Sequence, residues 1–166
     1  VFRITSHTRR KVSLFKKITD VLNPQVYDID KLLEIIRDDT YYHLKPKIEA
    51  VRKAKSKEEK AKKKALLPAI TWNGVFKSKN KNECVLYSSF TALDFDHIEP
   101  ENMKTFGRWL QGFPCVYTYF VTPSGTGFKA IILHDNYEPL YHYDLYNQLL
   151  KLFDCPWIDK STTDLA

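Results

Sequence analysis

The residues best suited to chemistry in this chain lie in three short segments. In TALDFDHI, residues 91–98, Asp94 and Asp96 interrupt an apolar run. If that run is a strand, alternate side chains point to opposite faces, so the two carboxylates share a face while Phe95 turns to the core. Like charges held that close resist ionising together, and a hard divalent cation with oxygen ligands, Mg2+ or Mn2+, removes the conflict. Two strand-end acids in solvent, or paired with Lys or Arg, would show the same spacing. In VTPSGTGFKAII, residues 121–132, two of the five glycines fall in one turn, Ser124-Gly125-Thr126-Gly127, with Lys129 just beyond. Glycines permit positive φ and close approach of backbone N–H groups to an anion, Ser124 offers a hydroxyl, and Lys129 is a point charge for phosphate. The turn lacks P-loop spacing and joins two strands, so a plain hairpin is its other reading. In CPWIDKSTTD, residues 155–164, Asp159 closes an apolar segment. Should the strand order set it beside Asp94 and Asp96, three carboxylates would converge on a cation pair, an arrangement common in nucleotidyl transfer.

A fourth segment carries charge rather than chemistry. The formal net charge is +6, and RKAKSKEEKAKKK, residues 52–64, concentrates the excess, with Lys60, Lys62, Lys63 and Lys64 as candidate nucleic-acid contacts. Ser56 and Glu59 form a capping-box pattern, and Glu58–Lys62 and Glu59–Lys63 have the spacing of supportive helix pairs. A helix is expected on either reading, whether it touches phosphates or is simply solvated.

The elements that must position these groups are legible in outline. Up to about residue 68 the pattern is mainly helical: DIDKLLEIIRD sets Ile29, Leu32, Leu33 and Ile36 on one face with Asp28 or Asp30 as N-cap, after a plausible strand in KVSLFKKI. Pro68 ends the basic helix, and Asn73-Gly74 marks a turn. From residue 82 the spacing predicts strands in ECVLYSS, FTALDFDHI, CVYTYFVT and FKAIILHD, helices in NMKTFGRWLQGF and LYHYDLYNQLLKLF, and a short last strand in PWIDK. The fold class expected is α+β: an RRM-like antiparallel or mixed sheet core with helices packed on it, preceded by a mainly helical N-terminal subdomain. Residues 1–76 would form that subdomain with the basic helix, and 77–166 the metal- and nucleotide-binding core, the two making one compact domain. Leu140, Tyr143, Leu145 and Leu149 read as packing, at least half of Trp72, Tyr117, Tyr119 and Phe120 as core, and His97 as an exposed strand-end residue.

Composition narrows the class. At 166 residues, 43% hydrophobic and 14% aromatic, the chain can bury one core and is neither disordered nor fibrous. Cys84, Cys115 and Cys155 are too few and too scattered for a disulfide framework or a C-x-x-C metal site, which points to reduced thiols in a cytoplasmic protein. There is no long apolar run or signal-peptide pattern, so no membrane association is expected. A start at Val1 and an end at STTDLA suggest a piece of a longer protein.

In order and spacing, h-D-h-D on a strand, then S-G-x-G-x-[H/K] between strands, then h-D after a helix resembles the catalytic core of the archaeo-eukaryotic primase superfamily. LPAITWNGVF, LDFD, PSGTGFK and WIDKSTTD look most like its mobile-element primase-polymerase branch, the group with the VirE N-terminal domain, over roughly residues 45–166. The resemblance implies metal binding by Asp94, Asp96 and Asp159 and a hold on the incoming nucleotide's phosphates by Ser124 to Lys129. Many superfamily members carry His where this chain has Lys129, whereas the VirE-like group often carries Lys. An Arg is expected soon after STTDLA.

The leading expectation is therefore a metal-dependent primase or DNA polymerase domain of a replication protein, acting with Mg2+ or Mn2+ on nucleoside triphosphates and a single-stranded DNA template, with a helicase as a possible domain in the remainder. The alternative is a non-catalytic nucleic-acid-binding module with an RRM-like sheet. A D-x-D nucleotide-sugar transferase would also use a metal on a diphosphate, but leaves Asp159 and the basic run without a purpose.

Overall fold

The structure, a computed structural model, describes residues 7–39 and 43–161. The N-terminal part contains β1 (Lys11–Phe15), β2 (Gln25–Asp28), α1 (Ile29–Asp38), α2 (Leu44–Arg52), α3 (Lys57–Lys64), β3 (Ala69–Thr71) and β4 (Gly74–Phe76). It is followed by β5 (Cys84–Tyr87), β6 (Phe90–Phe95), α4 (Pro100–Gln111), β7 (Val116–Val121), β8 (Phe128–Leu133) and α5 (His142–Leu152). The fold is α+β and, among the described residues, has three small antiparallel sheets ordered β2-β1-β3, β4-β5 and β6-β8-β7.

The third sheet is the centre of the molecule. Ile158 bridges Phe95 in antiparallel sense on the free side of β6, so the order across the sheet is segment 158, β6, β8, β7, connected as β-α-β-β-α-β. That is the RRM-like core. The PWIDK segment contributes this single bridge rather than a full strand: the Ile158 N–H turns back to the Cys155 carbonyl at 3.4 Å, so a turn leads directly into the bridge.

Both faces of the sheet are covered. On one, Leu93 and Phe95 of β6 and Phe128, Ala130 and Ile132 of β8 pack with Phe106 and Leu110 of α4 and Tyr146 and Leu149 of α5. On the other, Phe90, Ala92 and Ile131 meet Ile29 and Leu33 of α1, Ile70 of β3 and Trp72, with Phe120 against the Trp72 ring at 6.1 Å. Trp72 and Phe120 are thus packing residues. Tyr117 is partly exposed, its hydroxyl tied to Asp30 and Arg10.

The α1 periodicity behaves as its sequence predicts: Ile29 and Leu32 are buried, Leu33 and Ile36 pack beside them, and the Asp28 carboxylate accepts the Asp30 N–H at the N-terminus. In α5 the buried stripe is His142, Tyr146, Leu149. Leu145 is partly buried, but Leu140 and Tyr143, read as packing, are exposed, at 81% for Leu140. Leu140 belongs to a 3-10 turn ahead of the helix, and Tyr143 lies one residue, about 100°, off the buried stripe.

The β4–β5 hairpin crosses the 76/77 boundary, and the Ser13 hydroxyl, buried on β1, accepts the Phe76 N–H at 2.9 Å. The N-terminal segments therefore share core and hydrogen bonds with the rest. Cys84, Cys115 and Cys155 are free thiols. Among the described residues no helix is long and apolar enough to cross a membrane.

Candidate active site

Strand register builds the site. Asp94 of β6 lies directly opposite Lys129 of β8, and Lys129 opposite Phe120 of β7. On the outer side of β6, the Asp159 N–H donates to the Asp94 carbonyl at 2.9 Å and the Asp96 N–H to the Trp157 carbonyl at 2.8 Å. A row therefore runs across the sheet: Asp159, Asp94, Lys129, Phe120. Its face follows from alternation. Leu93, Phe95 and Phe128 enter the core under α4 and α5, so Asp94 and Lys129 continue the opposite row of Ala92 and Ile131, just past the end of the cover made by α1 and Trp72.

The side chains in the row are paired. The Lys129 ammonium stands 2.7 Å from the Asp94 carboxylate, both half-buried. Lys129 thus lies directly on the Asp94 carboxylate. Asp159 Oδ1 accepts the Ser161 N–H at 2.8 Å and its hydroxyl at 2.7 Å, so it caps the turn that follows. Among the described residues, no group of three or more His, Cys, Asp or Glu side chains is arranged to hold a metal ion. The register brings Asp159 and Asp94, with Asp96 two residues on, to one end of the sheet, but Lys129 pairs with the Asp94 carboxylate and Ser161 occupies Asp159 Oδ1. The donor set, all carboxylate oxygen, is of the kind a hard divalent cation takes.

The Ser-Gly-x-Gly turn closes the same end. Thr122 N–H donates to the Gly127 carbonyl and Gly125 N–H to the Thr122 carbonyl, each at 2.9 Å, while the Thr126 carbonyl accepts the Ile98 N–H at 2.9 Å. The last bond ties the turn to the segment after Asp96. Gly125 is left-handed, φ +81°, a conformation that favours glycine. Gly127 is required for a different reason: a methyl group built there would lie 2.2 Å from the Phe95 carbonyl oxygen and 3.0 Å from Asp96 Oδ1. The second glycine thus lets the turn lie directly on the acidic strand. Ser124 Oγ is held by the hydroxyls of Thr122 at 3.0 Å and Thr126 at 3.3 Å. His97, exposed with φ +60°, turns the chain away beyond Asp96.

One neighbour of the turn has no sequence signal. The side chain of Arg52, last residue of α2, lies against Gly125. Only the charge of the basic run hinted at it, and nothing local ties residue 52 to residue 125.

The basic run forms α3 as expected. The Ser56 hydroxyl accepts the Glu59 N–H at 3.0 Å, Glu59 reaches back to the Lys55 N–H at 2.9 Å, and Lys63 pairs with Glu59 at 2.5 Å. Lys63 and the backbone N–H groups of Lys55 and Ser56 hold the Glu59 carboxyl below its ordinary range. Among the described residues, Lys60, Lys62 and Lys64 are in no ion pair, and no residue of α3 is buried.

No curated protein and no solved structure matches the chain. The model of the family described as BT4734-like, N-terminal domain, matches residues 61–152, more than half of the sequence. The matched span holds Asp94, Asp96, the whole Ser124–Lys129 turn and the end of α3, and leaves Arg52 and Asp159 outside. On that match, the chain belongs to the BT4734-like N-terminal domain family.

Proposed function

We propose that this chain is a primase-polymerase-type nucleotidyltransferase domain, transferring nucleotides from a triphosphate to a 3′-hydroxyl on a nucleic-acid template. The observation that carries the reading is the row Asp159–Asp94–Lys129 laid against a Ser-Gly-x-Gly turn, since acids and a phosphate-type turn from three separate segments meet at one end of an RRM-like sheet. The primase-superfamily resemblance of LDFD, PSGTGFK and WIDK supports it.

In this reading Asp94 and Asp96, with Asp159 turned from Ser161, would hold Mg2+ or Mn2+. Such ions, when bound, neutralise charge on the triphosphate and on the attacking oxygen. The chain's own groups do the positioning. The turn from Ser124 to Gly127 receives phosphate oxygens, and Lys129, released from Asp94, follows the negative charge to the phosphates. The 3′-hydroxyl oxygen bonds to the α-phosphorus as its proton passes to solvent, the bond from the α-phosphorus to the bridging oxygen of the β-phosphate breaks, and pyrophosphate leaves. Binding energy at the phosphates serves the reaction only where it aligns these atoms, which requires the turn to be coupled to the acids. Gly127 lying on Phe95 and Asp96 supplies that coupling.

The test is incorporation by the full-length protein on a DNA template, with Mg2+ or Mn2+ and either ribo- or deoxynucleoside triphosphates. Binding of single-stranded DNA with no incorporation under any of these conditions would put the non-catalytic module first. The sheet itself argues against that module in its usual form. RRM sheets stack bases on exposed aromatics, whereas here Phe90, Trp72 and Phe120 are covered by α1 and one another.

Two further outcomes are expected. Lys129→Ala slows incorporation by about tenfold to a hundredfold, the equivalent of roughly 1.4–2.7 kcal/mol for a lost charged phosphate contact. Lys129→His retains part of the activity, because imidazole still donates to a phosphate oxygen, and steady-state kinetics on both variants check this. For template binding, reversing the charge of Lys60, Lys62, Lys63 and Lys64 should flatten the slope of log affinity for DNA against log salt by roughly 0.7–0.9 per lost contact. An unchanged slope would leave α3 a solvated helix.

A further inference from the structure

We infer that Arg52 is a second cation of the phosphate-binding turn, contributed by α2 from outside the sheet, and that it grips the phosphates of the incoming nucleoside triphosphate. The inference rests on the nucleotide-binding reading above and assigns a residue that neither the motif nor the resemblance includes.

The geometry is specific. A methyl group built on Gly125 would lie 3.4 Å from Arg52 Nε and 3.8 Å from its Cδ and Cζ, so the guanidinium end of the side chain rests against the apex of the turn. Val51, the residue before it, is fully buried, which anchors the end of α2 and aims Arg52 from a fixed point. Glu49, the acid nearest in sequence, pairs with Lys53 instead, and among the described residues Arg52 is in no ion pair. Among the described residues its guanidinium thus stands unpaired beside a turn whose left-handed glycine and clustered Thr122, Ser124 and Thr126 hydroxyls already present hydrogen-bonding groups.

The chemistry favours phosphate over a carboxylate partner within the protein. A guanidinium offers a planar fork of donors that matches two phosphate oxygens at once and, being weakly hydrated, loses little on contact. Lys129 approaches along the sheet from β8 and Arg52 approaches over the turn from α2, so a polyphosphate lying on Ser124 to Gly127 would be held between two cations. This arrangement also gives the N-terminal segment a reason to be joined to the core: α2 supplies the second cation at the turn.

The test uses calorimetric titration of the protein with a nucleoside triphosphate, with inorganic tripolyphosphate and with the free nucleoside, each with and without Mn2+. Arg52→Ala is expected to weaken triphosphate and tripolyphosphate binding by about tenfold or more, one charged hydrogen-bonded contact. Arg52→Lys should recover part of the loss, and thermal unfolding should be unchanged because the side chain is exposed. Affinity for single-stranded DNA at fixed salt should fall far less. In steady-state incorporation the effect should appear mainly in KM for the triphosphate. If wild type binds triphosphate and Arg52→Ala binds it equally well, the inference is wrong while the nucleotidyltransferase reading stands. Loss of DNA affinity with triphosphate affinity intact would also overturn it, placing Arg52 with the template contacts. If wild type binds neither triphosphate nor tripolyphosphate, both readings fall together.

Discussion

The double substitution Asp94→Asn, Asp96→Asn is expected to abolish Mn2+-dependent triphosphate binding and to cut nucleotide incorporation by about a thousandfold or more, roughly 4 kcal/mol of lost charge stabilisation. The expectation follows from where the acids sit. Both belong to the row facing away from the α4–α5 core, Asp94 opposite Lys129 and Asp96 under Gly127, so neutralising them removes the anionic half of the site without touching the packing of Leu93 and Phe95. Considered as bare repulsion, the two acids would make the variant slightly steadier. The Lys129–Asp94 pair changes that, because the variant leaves the half-buried ammonium without its carboxylate, and stability should fall, by about 1 kcal/mol or less for a partly exposed pair. Calorimetry with Mn2+ and triphosphate, beside a denaturation curve, separates the two effects. A variant that binds Mn2+ and triphosphate as wild type does would place the site elsewhere.

The second large effect is on stability and arises from two histidines remote from the candidate active site. His142, buried, and His134, half-buried with both ring nitrogens out of solvent, stand beside Tyr87, whose ring lies 5.7 Å from His134 and 5.8 Å from His142, and Tyr87 Oη and His142 Nδ1 share a hydrogen bond of 2.9 Å. Burial pushes His134 down to about 4, against a smaller upward pull from the neighbouring backbone of Phe90 and Asn136 and from Asp135. Burial, and then the charge of His134, push His142 down to about 4. The same burial raises the Tyr87 hydroxyl to about 12. Both imidazoles are therefore neutral in the folded protein at pH values where an unfolded chain would protonate them. Their contribution to stability is complete above the unfolded value near 6.5 and is lost as pH falls from there towards 4, on the order of 3 kcal/mol for each histidine at the low end. Urea denaturation at pH 7.5, 6 and 5 should show the midpoint falling steeply. A His134→Leu, His142→Asn variant, less stable at pH 7.5, should lose much of that dependence. An equally steep fall in the variant would assign the acid sensitivity to carboxylates.

Much of this protein can be read from local pattern. Alternation in FTALDFDHI and FKAIILHD, 3.6-residue spacing in DIDKLLEIIRD, and the Ser56–Glu59 box each determine an element within one stretch of chain, because the forces that make a strand, a helix or a cap act between residues a few positions apart. The same locality makes the turn from Ser124 to Gly127 recognisable, and it puts Asp94 and Asp96 on one side of β6. The failures are of one kind. Leu140 and Tyr143 carry the right residue types for packing, but which stripe of α5 is buried depends on how the helix lies on the sheet. Likewise PWIDK has strand composition, yet forms a single bridge.

What only the tertiary structure decided is the company these residues keep. Asp159 lies on the outer side of Asp94 and Lys129 on its inner side because Ile158 bridges Phe95 and β8 pairs with β6, pairings between segments roughly 33 to 63 positions apart. That register leaves no mark in either segment alone, since a one-residue slip would send every side chain to the other face with the composition unchanged. Equally, nothing near Arg52 announces Gly125. The sequence by itself determined which groups were available for chemistry, because residue type and local spacing are properties of the chain. The tertiary structure decided which of them meet, because contacts between distant segments are set by the burial of shared apolar faces, and the polar row at the end of the sheet takes its arrangement from the core beneath it.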